Sequence, residues 1–199
     1  RGTMVGYAMT ARIVSDQPPS EVRPPVDEYE YWRWIAARPG PKVVVVQDVD
    51  MPPKGAIWGE WNSNVHRALG CVGTVTEGGV RDLDGVQDLG FQMFATAVVP
   101  SHAYAVWTDY GGPVRVAGMS VKTGDLLAGD RHGVILIPAE VPLKDLLAVA
   151  ADIESLEQEI FDLCQSPSFD LEELIRLDAS VQARWPKPLG TDLREGVSR

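Results

Sequence analysis

The sequence predicts an α/β domain with helices at its C-terminal end, and three observations lead there. Lys42–Gln47 (KVVVVQ) is an unbroken β-branched run, the pattern of a central strand covered on both faces. From Val43 to Val75 the chain reads strand, loop, helix, strand, a right-handed crossover unit that sets helices beside a parallel sheet. From Pro142 to Leu163 the residues Leu143, Leu146, Leu147, Ala150, Ile153, Leu156, Ile160 and Leu163 recur at spacings of three and four, as on one face of an amphipathic helix.

The chain opens on Arg1-Gly2-Thr3 without an initiator methionine, which leaves room for residues upstream. Val5 to Ile13 alternates as a half-buried strand does. SDQPPSEVRPPVD follows, and its four prolines exclude regular structure. Glu28 to Ala37 places Tyr31, Trp34 and Ile35 on one helical face and is closed by Arg38-Pro39-Gly40. After the central strand, a Pro- and Gly-rich loop delivers Gly59-Glu60 to a helix running to about Leu69, and Cys71–Val75 forms the next strand. A short helix ends near Leu89-Gly90. Phe91–Val99 and Ala103–Thr108 read as strands, and VKTGDLLAGDRHGVILIPAE as a tight meander. A last helix spans Leu171 to Val181, and the residues from Pro186 on read as loose. Residues 1–140 are expected to form one domain, and 141–199 a helical extension serving oligomer contacts.

Eighteen Lys and Arg against 28 Asp and Glu give a formal charge of −10, with no basic stripe. Nucleic-acid binding needs clustered positive charge and is not expected. No apolar run approaches the roughly 20 residues that span a bilayer, so the expectation is a soluble, cytoplasmic protein without membrane contact. Cys71 and Cys164 lack CxxC spacing and read as buried free thiols of a reducing compartment.

The chemistry concentrates in Thr74–Val86 (TVTEGGVRDLDGV). Gly78 and Gly79 let backbone approach a ligand, and Asp82 and Asp84 suit the positive end of a helix. Arg81 offers a planar fork for an anion beside a hard oxygen ligand for a divalent cation. The crossover unit puts the two helix starts on one side of the sheet, so Glu60 and Asp82 are expected to converge. The same residues also fit a plain turn with a surface ion pair.

The block GEWNSNVHRALGCVGTVTEGGVRDLDGVQDLGFQMFA, with VKTGDLLAGDRHGVILIP downstream, resembles the family that includes the regulator of ribonuclease E activity and the metal-dependent 4-hydroxy-4-methyl-2-oxoglutarate aldolases. The specific feature is an acidic residue, twenty positions, then Arg-Asp: here Glu60 and Arg81-Asp82. The resemblance covers about Val5 to Glu140. It implies an α-β-β-α sandwich similar to the swivelling phosphohistidine domain, assembled as a homotrimer or homohexamer with sites between subunits. It implies Asp82 as the direct ligand of Mg²⁺ or Mn²⁺ and Arg81 on the carboxylate and keto oxygen of a 2-oxo acid. Glu60 would hold a metal-bound water, and the backbone N–H groups of Trp61 and Asn62, beside Gly59, would cradle the substrate carboxylate. Cleavage of such an acid to pyruvate develops negative charge on the keto oxygen, which a metal and Arg81 would offset. No lysine lies in the central motif for an imine route.

Three departures from the family pattern stand out, of which the first bears on the substrate. Trp61-Asn62-Ser63-Asn64 is bulkier and more polar than the apolar pair common in the aldolases, Glu77 stands where relatives more often carry Asp or Asn, and the family's upstream helix is not expected in the few residues given before the strand at Val5. Among His66, His102 and His132, His66 is the substrate-binding candidate. The alternatives are a protein-binding regulator without catalysis and a lyase or hydratase acting on another hydroxy or oxo acid. Regulators lack the acid after the motif arginine, whereas this chain has Asp82.

Overall fold

The computed structural model describes residues 2–187 apart from Val22 and Met51; the tail from residue 188, most of the stretch expected to be loose, lies outside the described residues. The chain divides into two compact units, residues 1–138 and 139–199.

The first unit is built on β1 (Met4–Val14), β2 (Lys42–Asp48), β3 (Cys71–Thr76) and β5 (Gln92–Phe94), which lie side by side and parallel. β10 (Leu126–Asp130) and β7 (Val106–Tyr110) pair antiparallel with successive halves of β1, and β11 (Gly133–Ile137) closes the edge beyond β10. β1 therefore serves three neighbours, which its eleven residues allow. Two small sheets complete the unit: β4 (Gly79–Val80) beside β6 (Ala97–Val98), and the hairpin β8 (Val114–Val116) with β9 (Met119–Val121).

Alternate residues of the central strands feed two cores, as the period-two geometry of a strand requires. Ala11, Ile13, Val44 and Val46 point to the side of α1 (Glu28–Ala36), α2 (Glu60–Ala68) and α3 (Leu83–Asp88), joining Tyr31, Ile35, Trp58, Val86 and Trp107. Met4, Ala8, Val43 and Val45 point the other way, to Val114, Val116, Val121 and Leu127. The layers are helices, sheet and a second β layer, the mixed α/β class with C-terminal helices that was expected.

Side chains fix the element ends. Asp27 accepts from the N–H groups of Tyr29 and Glu30 and caps α1. At the other end, buried Lys42 donates its ammonium to the carbonyls of Ile35 and Arg38 at 3.0 and 2.9 Å, so the first residue of β2 also closes α1.

Two expectations change. Phe91–Val99 is not one strand: Gln92–Phe94 extends the parallel sheet, while Ala97–Val98 leaves it to pair with Gly79–Val80. Cys71 is buried, but Cys164 is exposed.

The second unit holds α4 (Leu143–Gln165) and α5 (Leu171–Arg184), which pack on each other; Leu156 and Val181 are their buried residues. Arg184 bridges back to Glu159 with paired hydrogen bonds of 2.9 and 2.7 Å. Among the described residues no helix is long and apolar enough to cross a membrane.

Candidate functional site

The two helix starts meet. Trp58 sits in the core, its carbonyl accepts the Arg81 N–H at 3.0 Å, and it bridges to Val80 in parallel, so the loop before α2 is stitched to the segment before α3. Across this seam the Glu60 N–H donates to Asp82 Oδ2 at 3.1 Å, and Arg81 Nη1 donates to the same oxygen at 2.9 Å. Asp82 Oδ1 has no hydrogen-bond donor among the described residues.

Glycines make the approach possible. A Cβ on Gly59 would stand 2.5 Å from Asp82 Oδ2 and 3.1 Å from Arg81 Cγ and Cζ. A Cβ on Gly85, within α3, would stand 2.8 Å from both Cδ and Oε2 of Glu60. Both acids thus occupy space that any other residue at 59 or 85 would fill.

Asp82 takes the left-handed conformation, φ 57° and ψ 42°, and although it precedes α3 its side chain makes no capping bond to that helix. The expectation of a carboxylate serving the helix start is therefore corrected: Asp82 turns to α2. Asp tolerates this backbone region better than most residues, and such positions concentrate at functional sites.

The N-terminus of α2 supplies further donors. Its first intrahelical bond runs from the Ser63 N–H to the Gly59 carbonyl at 3.0 Å, which leaves the Trp61 and Asn62 N–H groups without intrahelical acceptors. Trp61 is 73% exposed at this helix start. Asn62 is not: its side chain turns inward and donates to the Ile57 carbonyl at 2.7 Å, so only its backbone remains for an anion.

His66 requires a correction. It is fully buried, with ring contacts to Tyr31, Trp58 and Trp107, and does not reach the surface at Glu60 and Asp82. Its Nδ1 bonds the Asn62 carbonyl at 2.7 Å, so Nδ1 carries the proton and Nε2 accepts from the Tyr31 hydroxyl at 3.2 Å. Burial pushes its pKa down to about 4, so the ring is neutral. Its role is to tie α2 to α1. His102 and His132 are exposed, beside the Ala103 carbonyl and Asp130 respectively.

A second polar cluster, of which the sequence expectations held only Glu77, lies at the carboxyl ends of β1, β2 and β3. Buried Asp48 accepts from Ser15 Oγ at 2.7 Å and from the Asp50 N–H at 3.0 Å, and burial raises its pKa above the usual carboxylate value. Glu77 anchors loops: its carboxylate accepts the Ala117 N–H at 3.0 Å, and its carbonyl accepts the Thr96 hydroxyl at 2.5 Å. The signal for Asp48 was available, as a charged residue closing a β-branched run at the carboxyl end of a parallel strand.

Among the described residues no three His, Cys, Asp or Glu side chains are placed to hold a metal together. The donors at Asp82 and Glu60 are hard oxygens, which suits Mg²⁺ or Mn²⁺ keeping most of its shell as water. The open Oδ1 of Asp82 fits such an ion, and the glycines at 59 and 85 leave room for the two carboxylates themselves. A cleft of about 860 Å³ lies along α3, where Leu83, Val86, Phe91, Phe94 and Val98 line it; none of Glu60, Arg81 and Asp82 does.

Known proteins resemble this chain in sequence and fold. The family model described as RraA-like, Aldolase/RraA, matches residues 1–136. A protein of Halalkalibacterium halodurans provisionally named 4-hydroxy-4-methyl-2-oxoglutarate aldolase is 29% identical over 140 residues, which is 68% of this chain and 66% of that protein, so the match spans just under two thirds of its length. An uncharacterised protein from Pseudomonas syringae pv. tomato has the same fold, with a TM-score of 0.68 and 22% identity over 90% of this chain and 76% of that one. Streptomyces coelicolor RraAS2, described as an unusual member of the RNase ES inhibitor RraA protein family, aligns with a TM-score of 0.61 and 22% identity over 79% of this chain and 75% of its own.

Proposed function

Because the chain belongs to the RraA-like family, matched over residues 1–136, we propose that it is a divalent-metal-dependent lyase that cleaves a small 2-oxo acid to pyruvate, by aldol cleavage or by decarboxylation. The observation that carries this reading is the junction of Glu60, Arg81 and Asp82, with one carboxylate oxygen held by two donors and the other open.

Asp82 would hold Mg²⁺ or Mn²⁺, which when bound supplies positive charge at the substrate's keto oxygen. Arg81 spends one Nη1–H on Asp82, and its remaining Nη donors would grip the substrate carboxylate. The Trp61 and Asn62 N–H groups, at the positive end of α2, would share that carboxylate. Glu60, its carboxylate seated over Gly85, would accept the proton of the 4-hydroxyl through water, since its backbone is pinned by Asp82. The proposal includes a cytoplasmic homotrimer or homohexamer.

A second reading, a protein-binding regulator without catalysis, is supported by the likeness to an inhibitor family; Asp82 and its open oxygen favour the enzyme. A lyase or hydratase on a different hydroxy or oxo acid is the third, supported by exposed Trp61 and Tyr104. The test is pyruvate release from 4-hydroxy-4-methyl-2-oxoglutarate and from oxaloacetate, with Mg²⁺, Mn²⁺ or EDTA, beside Asp82→Asn. Asparagine keeps the shape and tolerates the left-handed backbone while removing the charge. Metal-dependent pyruvate that disappears in Asp82→Asn is expected. Full activity in that variant overturns the reading, and no pyruvate from either acid points to another substrate or to a protein partner.

A further inference from the structure

The hairpin of α4 and α5 lies outside the family match and holds none of the site residues named above. Its apolar side chains are poorly covered: Leu156 and Val181 are buried, whereas Leu143, Leu147, Phe161, Leu171 and Ile175 are between 47% and 69% exposed. They are ordered rather than scattered. At about 100° per residue, Leu143, Leu147 and Phe161 fall within about 40° of one another around α4, and Leu171 and Ile175 do so on α5. Exposed apolar stripes of this kind mark contact surfaces.

Charge says what covers them. From Leu143 to Arg184 there are ten acidic side chains against three basic ones, a net −7 out of the chain's −10. Among the described residues only Glu159 of these acids is ion-paired, with Arg184. Glu154 and Asp178 stand on the apolar stripes themselves, by the same angular count. Nucleic acid and anionic lipid are repelled by such a surface, and a second copy would bring the same −7. Charges act over only about 8 Å at physiological salt, so the complementary cations must sit on the docking segment itself.

We propose that the α4–α5 hairpin docks a basic amphipathic helix of a partner protein, whose apolar face covers the Leu143, Leu147 and Phe161 stripe while its Lys or Arg residues meet Glu154, Glu157 and Asp178. Helix-in-groove recognition uses apolar anchors at helical spacing, and aromatic residues such as Phe161 are favoured at its centre.

The probe is a fluorescein-labelled 18-residue amphipathic helix of Leu and Lys, titrated into the full chain and read by fluorescence anisotropy at low and high salt, with circular dichroism checking that each variant keeps its helices. Binding is expected to weaken about tenfold in Leu147→Asp and again in Glu154→Lys/Asp178→Lys, each about 1.4 kcal/mol, and to be unchanged in Glu21→Lys/Asp88→Lys, which alters the same charge in the first unit. A peptide with Glu in place of Lys is expected not to bind. Equal loss in the Glu21→Lys/Asp88→Lys control reduces the effect to unspecific attraction and overturns the proposal. So does sedimentation showing that Leu147→Asp dissociates an oligomer while peptide affinity stays the same, since a second copy then covers the stripe. Peptide binding is read without substrate or turnover, and the lyase test compares the parent chain with Asp82→Asn, so the two tests fail independently.

Discussion

The backbone N–H of Glu60 donates to Asp82 Oδ2 at 3.1 Å across a gap that exists because residue 59 has no side chain. Gly59 has extended backbone, φ −158°, which any residue adopts, so the demand there is for space. Gly59→Ala is expected to fold, to part the two helix starts, and to cut pyruvate release at least tenfold with weaker Mg²⁺ dependence. Activity titrated against Mg²⁺ beside a melting curve checks it; wild-type turnover would show that the contact is dispensable.

Gly85→Ala separates activity from stability. The three atoms nearest the added Cβ all belong to the Glu60 side chain, which can swing aside, and alanine in place of glycine favours a helix by about 1 kcal/mol. The variant is expected to melt no lower than the parent while kcat falls. A drop in melting temperature with unchanged kcat would mean that Gly85 serves α3 rather than Glu60.

His66 sets an acid limit on stability. Its pKa is depressed from 6.5 to about 4 in the folded chain, so between those values the unfolded chain binds a proton that the folded one excludes. The stabilisation is fully present above about pH 6.5 and falls as the pH drops toward 4, by roughly 3 kcal/mol in all. Melting temperature followed from pH 7 to pH 4 is expected to decline with a slope that His66→Gln flattens. The substitution is expected to leave KM unchanged, because the ring does not reach the site.

The thiols divide. Burial pushes Cys71 up to about 12, and Cys164 is exposed. Titration with a disulfide reagent is expected to modify one thiol in the native protein and two in denaturant. Two fast-reacting thiols without denaturant would show that the start of β3 opens readily.

The sequence carried the elements whose burial is apolar. β1, β2, the helix after Gly59 and the strand at Cys71 follow from alternation, β-branched runs and Gly-Pro punctuation, and the acidic residue and Arg-Asp twenty positions apart marked where two helix starts meet. α2 shows what periodicity misses. Its inward face is Asn62, Ser63 and His66, polar residues that look like a surface until Ile57 and Tyr31 are seen to partner them. Asp48 escaped for a similar reason, since the β-branched run was read as ending at Gln47 and Ser15 arrives from another strand. The left-handed turn at Asp82 has no signature of its own in sequence, because the contact that sets it comes from 22 residues upstream. Cys164 and the apolar residues of α4 read as buried because amphipathic spacing shows that a helix has an apolar face, not that anything covers it.

The two missing side chains at Gly59 and Gly85 have a genetic consequence. A glycine codon becomes an alanine codon by a single base change, so one mutation at either position is expected to lower the activity while Glu60, Arg81 and Asp82 all remain in the sequence. Two chains sharing the full acidic and Arg-Asp signature can therefore differ in activity, and what distinguishes them is a methyl group at a position that carries no chemistry.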